Sequence, residues 1–216
     1  GGNRVAAALN RSGCRCIYIR ADLSTETDCR MVPQACEEEF GRVSGLVNAA
    51  GVTTRGTLGD TTVDLWDYMF AVNARAPFIL MQEAVKIMKR EEIYGSIVNI
   101  ITENSHCGLP QLMAYSASKG AMVTLTKNIA YALRYDKIRV NGINMGWADT
   151  VGEHAMQRSD GQPENWLKLA EARQPFGRLL RPGDVAGLTA YLLGDDAIMM
   201  TGSVIDFNQN VVGALG

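Results

Sequence analysis

The sequence predicts an α/β fold built on a parallel sheet, and three observations carry that expectation. Short apolar runs alternate with longer amphipathic stretches along most of the chain, the pattern of strands joined by helical crossovers. One run, 95–101, passes through a loop containing glycine and proline into a long helical pattern that starts at 114, as a strand end opening into a helix would. The 216 residues are 47% hydrophobic and 20% charged, enough to bury one sizeable core, so a single domain over 1–216 is expected.

Strands are expected at 16–19, 45–48, 96–100, 138–143 and 203–207. Helical periodicity fills 28–40, 64–90, 114–135 and 183–194; the last opens on Pro182-Gly-Asp and stops at Gly194, residues suited to a helix start and a helix end. The stretch 148–176 fits neither pattern cleanly. Gly152, Gly161, Pro163 and Pro175 interrupt two charged helical pieces, the composition of a mobile substrate lid. No repeat or low-complexity segment is present.

Charge and cysteine usage narrow the function classes. A net charge of −2, with no basic block and few aromatics, gives no nucleic-acid footprint and favours small-molecule partners. No apolar run approaches the roughly 18 residues of a membrane span, and the N-terminus lacks a signal-peptide pattern, so a soluble, cytoplasmic chain is expected. Five cysteines without paired Cys-x-x-Cys spacing read as reduced thiols. With only His106 and His154 available and unclustered, no metal site is expected.

The chemistry centres on Tyr115 and Lys119 in the run Ala114-Tyr-Ser-Ala-Ser-Lys-Gly-Ala121. Four residues apart on a helix, they share a face about one turn distant. A neighbouring ammonium would favour the phenolate and lower the tyrosine from its reference near 10, which suits general acid–base work. The same spacing occurs by chance on many solvated helix faces. The strand just upstream adds weight, because sites of α/β folds lie at such strand ends.

Further segments follow in a familiar order: Asn48-Ala-Ala-Gly51, then Asn73, then Tyr115 with Lys119, then Asn141-Gly-Ile-Asn-Met-Gly-Trp147 with Asp149-Thr150. In this the chain resembles the short-chain dehydrogenase/reductase family, classical type. The resemblance implies a Rossmann-type doubly wound parallel sheet with helices on both faces. It also implies a strand, glycine-rich turn, helix and second strand ahead of 21–24, which resembles the end of the family's third strand, with 3–12 as the helix before that strand. That βαβ unit is not in the sequence, so a longer gene product, truncated or cleaved here, is expected.

Thr102 stands thirteen residues before Tyr115, where the family carries its catalytic serine. Threonine keeps the hydroxyl but restricts its rotamer, and Ser105 is the alternative hydroxyl. The resemblance implies that Tyr115 exchanges the alcohol proton and that Thr102 binds the same oxygen. Lys119 would tune the phenol and hold ribose hydroxyls, while Asn73 would bind a water linking Lys119 to solvent. The implied cofactor is NAD or NADP. Asp22 and Leu23 would lie near the adenine, Asn48, Ala50 and Gly51 along the adenosine, Tyr115 and Lys119 at the ribose, and Gly146 and Thr150 near the carboxamide.

Glu103, Asn104, Ser105 and His106, with Gln111, His154 and Gln174, would give a polar pocket, which favours a sugar, polyol or other small polar secondary alcohol or ketone. A 3-oxoacyl thioester reductase is the enzymatic alternative, and a nucleotide-binding sensor or scaffold without turnover the alternative of another class. A homodimer or homotetramer is expected through the helices at 64–90 and 114–135, which carry Phe70, Phe78, Met81, Val85, Met122, Leu125 and Ile129. The tail 211–216 would either join that interface or fray.

Overall fold

The computed structural model describes residues 1–212. In chain order the helices and strands are α1 (Gly2–Arg11), α2 (Glu26–Phe40), β1 (Gly45–Asn48), α3 (Val63–Phe70), α4 (Ala76–Arg90) and β2 (Ser96–Ile100). Then follow α5 (Met113–Leu133), β3 (Arg139–Met145), α6 (Val151–Ser159), α7 (Trp166–Glu171), α8 (Pro182–Leu193) and β4 (Val204–Phe207). The four strands form one sheet in the order β1-β2-β3-β4, all parallel. Residues 213–216 of the expected tail lie outside the described residues.

Both faces of the sheet are covered, and the strand sequences show why. In β2, Ile97 joins α4 and α5 in a cluster with Met81, Met88, Met122 and Ala130, whereas its neighbour Val98 packs with Ile143 and with Leu192 of α8. A strand buried on both sides must be apolar at consecutive positions rather than alternate ones. Each such side chain contributes about 1.5–3 kcal/mol on burial. Met81 and Met122 therefore belong to the core and not to an outer face.

Local chemistry sets the helix limits. The Thr25 hydroxyl caps α2 by accepting from Asp28 N, Glu26 and Asp28 supply acid to its positive end, and Gly41 closes it at φ 73°. At α8, Pro182 occupies the first turn and the Asp184 carboxylate accepts from Arg181 N at 2.8 Å.

Two expectations require correction. Residues 16–19 are not a strand, and Tyr18 is 48% exposed. Strand stability comes from ladder bonds and cross-strand pairs, and among the described residues no strand lies beside this segment or precedes β1. The helix over 64–90 is also not uniform. A π turn, Ala71–Arg75, is inserted between α3 and α4.

The two helical pieces expected in 148–176 are α6 and α7. Its roots are joined by a parallel bridge between Ala148 and Leu180, with Asp149 N donating to Leu180 O at 2.8 Å. Trp166, Ala170 and Leu179 make a small core of their own, and Trp166 stacks on Trp147 at 5.9 Å. Among the described residues no helix is long and apolar enough to cross a membrane, and no His/Cys/Asp/Glu cluster could hold a metal.

Candidate active site

The carboxyl ends of β1 and β2 are tied to the middle of α5 by a ladder of buried polar side chains. Asn48 Nδ2 donates to Asn99 Oδ1 at 2.8 Å, and Asn99 Nδ2 donates to Thr126 Oγ1 at 2.9 Å. Because Asn48 and Asn99 are register partners, this chain of bonds ties α5 to the sheet.

Asn73 lies in the π turn and is 0% exposed. A π turn adds a residue to one helical turn and re-aims the side chain it carries, which is why such turns recur at functional sites. The Asn73 amide treats Val52 as a strand partner would: its Oδ1 accepts from Val52 N and its Nδ2 donates to Val52 O, both at 2.9 Å. Nδ2 also reaches Ser118 Oγ at 3.1 Å, and that hydroxyl donates to Tyr115 O at 2.7 Å. The loop after β1 and the helix turn bearing Tyr115 are thus held by one side chain.

Gly51 shows how tight the arrangement is. A Cβ there would lie 3.3 Å from Asn73 Oδ1 and 3.5 Å from Lys119 Nζ, so the amide and the ammonium close over its Cα. Lys119 is 5% exposed and donates to Ile100 O at 2.9 Å. Burial lowers its pKa to about 8, since a low-dielectric site disfavours the charged form.

Thr102 extends from the end of β2 and is buried. Its Oγ1 accepts from Asn104 N at 3.3 Å and Asn104 Nδ2 at 3.4 Å, which leaves its own proton to donate. Burial raises the Tyr115 pKa; the Thr102 hydroxyl opposes the rise, the Glu153 carboxylate adds to it and the Arg55 guanidinium counters it. The expected lowering of Tyr115 by Lys119 is not found. Lys119 is turned to the Ile100 carbonyl, and desolvation of the phenol dominates.

Ser105 is directed elsewhere, its Oγ donating to Asn144 Oδ1 at 3.2 Å. His106 pairs with Asp206 at 2.8 Å and Asn144 Nδ2 reaches the same carboxylate at 3.0 Å, so these residues form a network at the β3–β4 ends. Burial raises the pKa of Glu103 beside them. His154 is held by Asp149 at 2.8 Å and lies edge-on to Trp166. Gln111 contributes its carbonyl to Gly56 N at 2.9 Å. Of the polar candidates, Asn104 is the one whose side chain bonds the Thr102 hydroxyl. Sequence reasoning missed Ser118, although its position three residues after Tyr115 was a signal. For Arg55 and Glu153 no local signal existed.

The residues expected along a dinucleotide fall into two groups. A cavity of about 340 Å³ gathers Leu23, Asn48 and Ala50 with Tyr18, Ala21 and Val72; Asp22 and Leu23 border a second with Arg20 and Tyr68. The exposed backbone of Ala49, Ala50 and Gly51 and the unpartnered buried Asn48 Oδ1 fit a nucleotide, which would offer a flat apolar ring and hydroxyl donors. Asp22 also accepts from Ser24 N and Oγ at 2.9 and 2.7 Å, which lowers its pKa, while Leu23 packs on Cys29, Ala76 and Ile79. Gly146 admits the loop after β4, since a Cβ there would meet Asn208 Cβ at 2.6 Å, and Thr150 caps α6 by accepting from Glu153 N at 3.0 Å. A separate cavity of about 1000 Å³ lies at the opposite strand ends beside Arg42, Ser96 and Arg139, and none of the expected site residues lines it.

Comparison with known proteins bears on the family and the fold. The family described as Enoyl-(Acyl carrier protein) reductase matches residues 1–209. An uncharacterized oxidoreductase of Thermotoga maritima is 31% identical over 96% of this chain and 81% of its own length. Carbonyl reductase [NADPH] 2 of Sus scrofa is 35% identical over 94% and 88%, and 2-(S)-hydroxypropyl-CoM dehydrogenase 3 of Xanthobacter autotrophicus 32% identical over 93% and 78%. The fold is that of NAD+-bound xylitol dehydrogenase, with a TM-score of 0.86 at 23% identity over 97% of this chain and 84% of that one. The chain belongs to the short-chain dehydrogenase/reductase family, oxidoreductases that act on alcohols and carbonyls.

Proposed function

We propose that this protein interconverts a small polar secondary alcohol and its ketone with NAD or NADP, using Tyr115, Thr102, Lys119 and Asn73. The observation that carries this is the closure of Lys119 and Asn73 over Gly51, with Asn73 tied through Ser118 to the turn that presents Tyr115 and the buried Thr102 hydroxyl at the end of β2. A bound nicotinamide would supply hydride transfer. Leu23, Asn48, Ala50 and Gly51 would hold the adenosine side, with Asp22 at its edge and Gly146 and Thr150 toward the carboxamide.

In reduction, Tyr115 gives its proton to the carbonyl oxygen while the Thr102 hydroxyl donates a hydrogen bond to the same atom. Both donors meet developing charge where the site is shielded from water. In oxidation the transfer reverses. Lys119 positions ribose hydroxyls once drawn from Ile100 O, and Asn73 keeps the loop after β1 in register with the Tyr115 turn. The stretch 148–176 serves as the substrate lid.

Asn104, Glu103 and the His106–Asn144–Asp206 network support a hydroxyl-bearing substrate over an acyl chain, because polar groups left unpaired against an alkyl chain would penalise it. A 3-oxoacyl thioester remains the second reading, favoured by the description of the matching family. We assign a cytoplasmic homodimer or homotetramer associating through α4 and α5, where Phe78 stays exposed. Calorimetric titration with NADH and NADPH, followed by a turnover screen of xylitol, other polyols, 2-butanol and an acetoacetyl thioester, tests the reading. Binding of neither nucleotide, by this chain or by one extended upstream with its native sequence, would overturn it.

A further inference from the structure

We propose that Arg55 is a positioning residue that clamps the 148–176 lid over the site through an ion pair with Asp160. The inference rests on reading that stretch as a lid. Arg55 Nε lies 3.3 Å from Asp160 Oδ2, the two residues being 105 apart in sequence, with side chains only 28% and 32% exposed. Among the described residues this is the sole ion pair between the stretch and the rest of the molecule.

The two partners sit where a clamp is effective. Arg55 stands on a loop secured on both sides: Val52 is held twice by Asn73, and Gly56 N donates to Gln111 O at 2.9 Å while Gly56 bridges Leu112 at the start of α5. Its backbone is therefore fixed to the helix that carries Tyr115. Asp160 ends α6, and Gly161 turns the chain there at φ 70°. That turn lies between α6 and α7, away from the roots already joined at Ala148 and Leu180. A tether there restrains the part of the lid its roots leave free.

The clamp has a consequence for chemistry. Closing it brings α6 down with Glu153, whose carboxylate is held by Trp147 Nε1 at 2.8 Å and Gln157 Nε2 at 2.7 Å. Glu153 and Arg55 both act on Tyr115 through space, so closure sets the charges around the phenol as well as excluding water.

Limited chymotrypsin digestion of the intact protein reads the lid without needing turnover, because Trp166, buried against Trp147 and Leu179, and the half-buried Leu167 are cut faster when it lifts. We expect Arg55→Gln and Asp160→Asn each to speed cleavage at these sites about three- to fivefold, the range for a partly shielded ion pair. Their melting temperatures should stay within about 2 °C of the parent. Arg55→Asp combined with Asp160→Arg should return the rate to that of the parent. For the alcohol turned over fastest among those named above, Arg55→Gln should raise KM about threefold and lower kcat by a smaller factor, as the charge beside Tyr115 is lost. Cleavage unchanged in both single variants, or as fast in the charge swap as in either single variant, would overturn the clamp. Absence of turnover with a responsive lid would strike the dehydrogenase reading alone.

Discussion

Asn73 and Ser118 meet at 3.1 Å between Nδ2 and Oγ, which couples the π turn before α4 to the helix turn that presents Tyr115. A carboxamide is well suited to this place, since it pairs with the Val52 backbone as donor and acceptor at once. We expect Asn73→Ala to destabilise the fold by about 2–4 kcal/mol, because two part-buried backbone groups of Val52 lose their partners and a buried side chain is truncated. Ser118→Ala should cost about 1 kcal/mol. Urea denaturation measures both, and a loss under about 1 kcal/mol in Asn73→Ala would show that the amide is dispensable to the architecture.

Tyr115→Phe keeps the ring and removes the proton donor. Turnover should fall by about 10²–10⁴-fold, the usual worth of general acid–base catalysis, while nucleotide binding and melting temperature hold. Residual turnover within tenfold of the parent would assign the proton to another group. Because burial and Glu153 hold the phenol protonated, kcat/KM for oxidation should rise with pH well into the alkaline range, where the base form appears. Reduction should be fastest where the phenol is intact.

Thr102 separates hydroxyl chemistry from shape. Thr102→Ser retains the donor and should keep kcat/KM within about threefold, whereas Thr102→Val, of nearly the same volume, should lose about 10²-fold through the missing hydrogen bond to the reacting oxygen. Steady-state kinetics of the pair decide the matter. Equal losses would mean that the methyl group, not the hydroxyl, is what the site needs. Ser105→Ala should have little effect, its hydroxyl being spent on Asn144.

What the sequence disclosed follows from where each signal resides. Strands buried on both faces, such as 96–100, and the long helix of Tyr115 are local patterns and are readable as such. Residues 16–19 have strand composition, yet a strand exists only by pairing, and that depends on what lies beside it. The π turn at Asn73 is invisible in the sequence because one inserted residue scarcely disturbs an amphipathic pattern. The direction in which the Tyr115 pKa moves is hidden for a related reason: spacing reports that Lys119 is near but not that its ammonium faces Ile100 O or how far the phenol is desolvated. Arg55 and Asp160 show the same limit, since their meeting is a property of the fold alone.

Lys119 gives the most direct check on that desolvation. Its folded pKa of about 8 lies below the reference value of 10.5, so between those limits the unfolded chain binds more protons than the folded one. Stability contributed by this group therefore rises with pH across that window. Holding the ammonium in place at neutral pH costs about 3 kcal/mol, since each tenfold loss of proton affinity is worth roughly 1.4 kcal/mol. Lys119→Met removes the charge but keeps the apolar stem, and its stability should not follow this titration. Measured by urea denaturation at a series of pH values, the parent should gain on Lys119→Met by up to about 3 kcal/mol between pH 8 and 10.5. The Ile100 carbonyl left without a partner in the variant costs the same at every pH and cannot mimic the trend. A difference that stays flat across the window would mean that the ammonium is solvated, and with it would go the closed packing of Lys119 and Asn73 over Gly51.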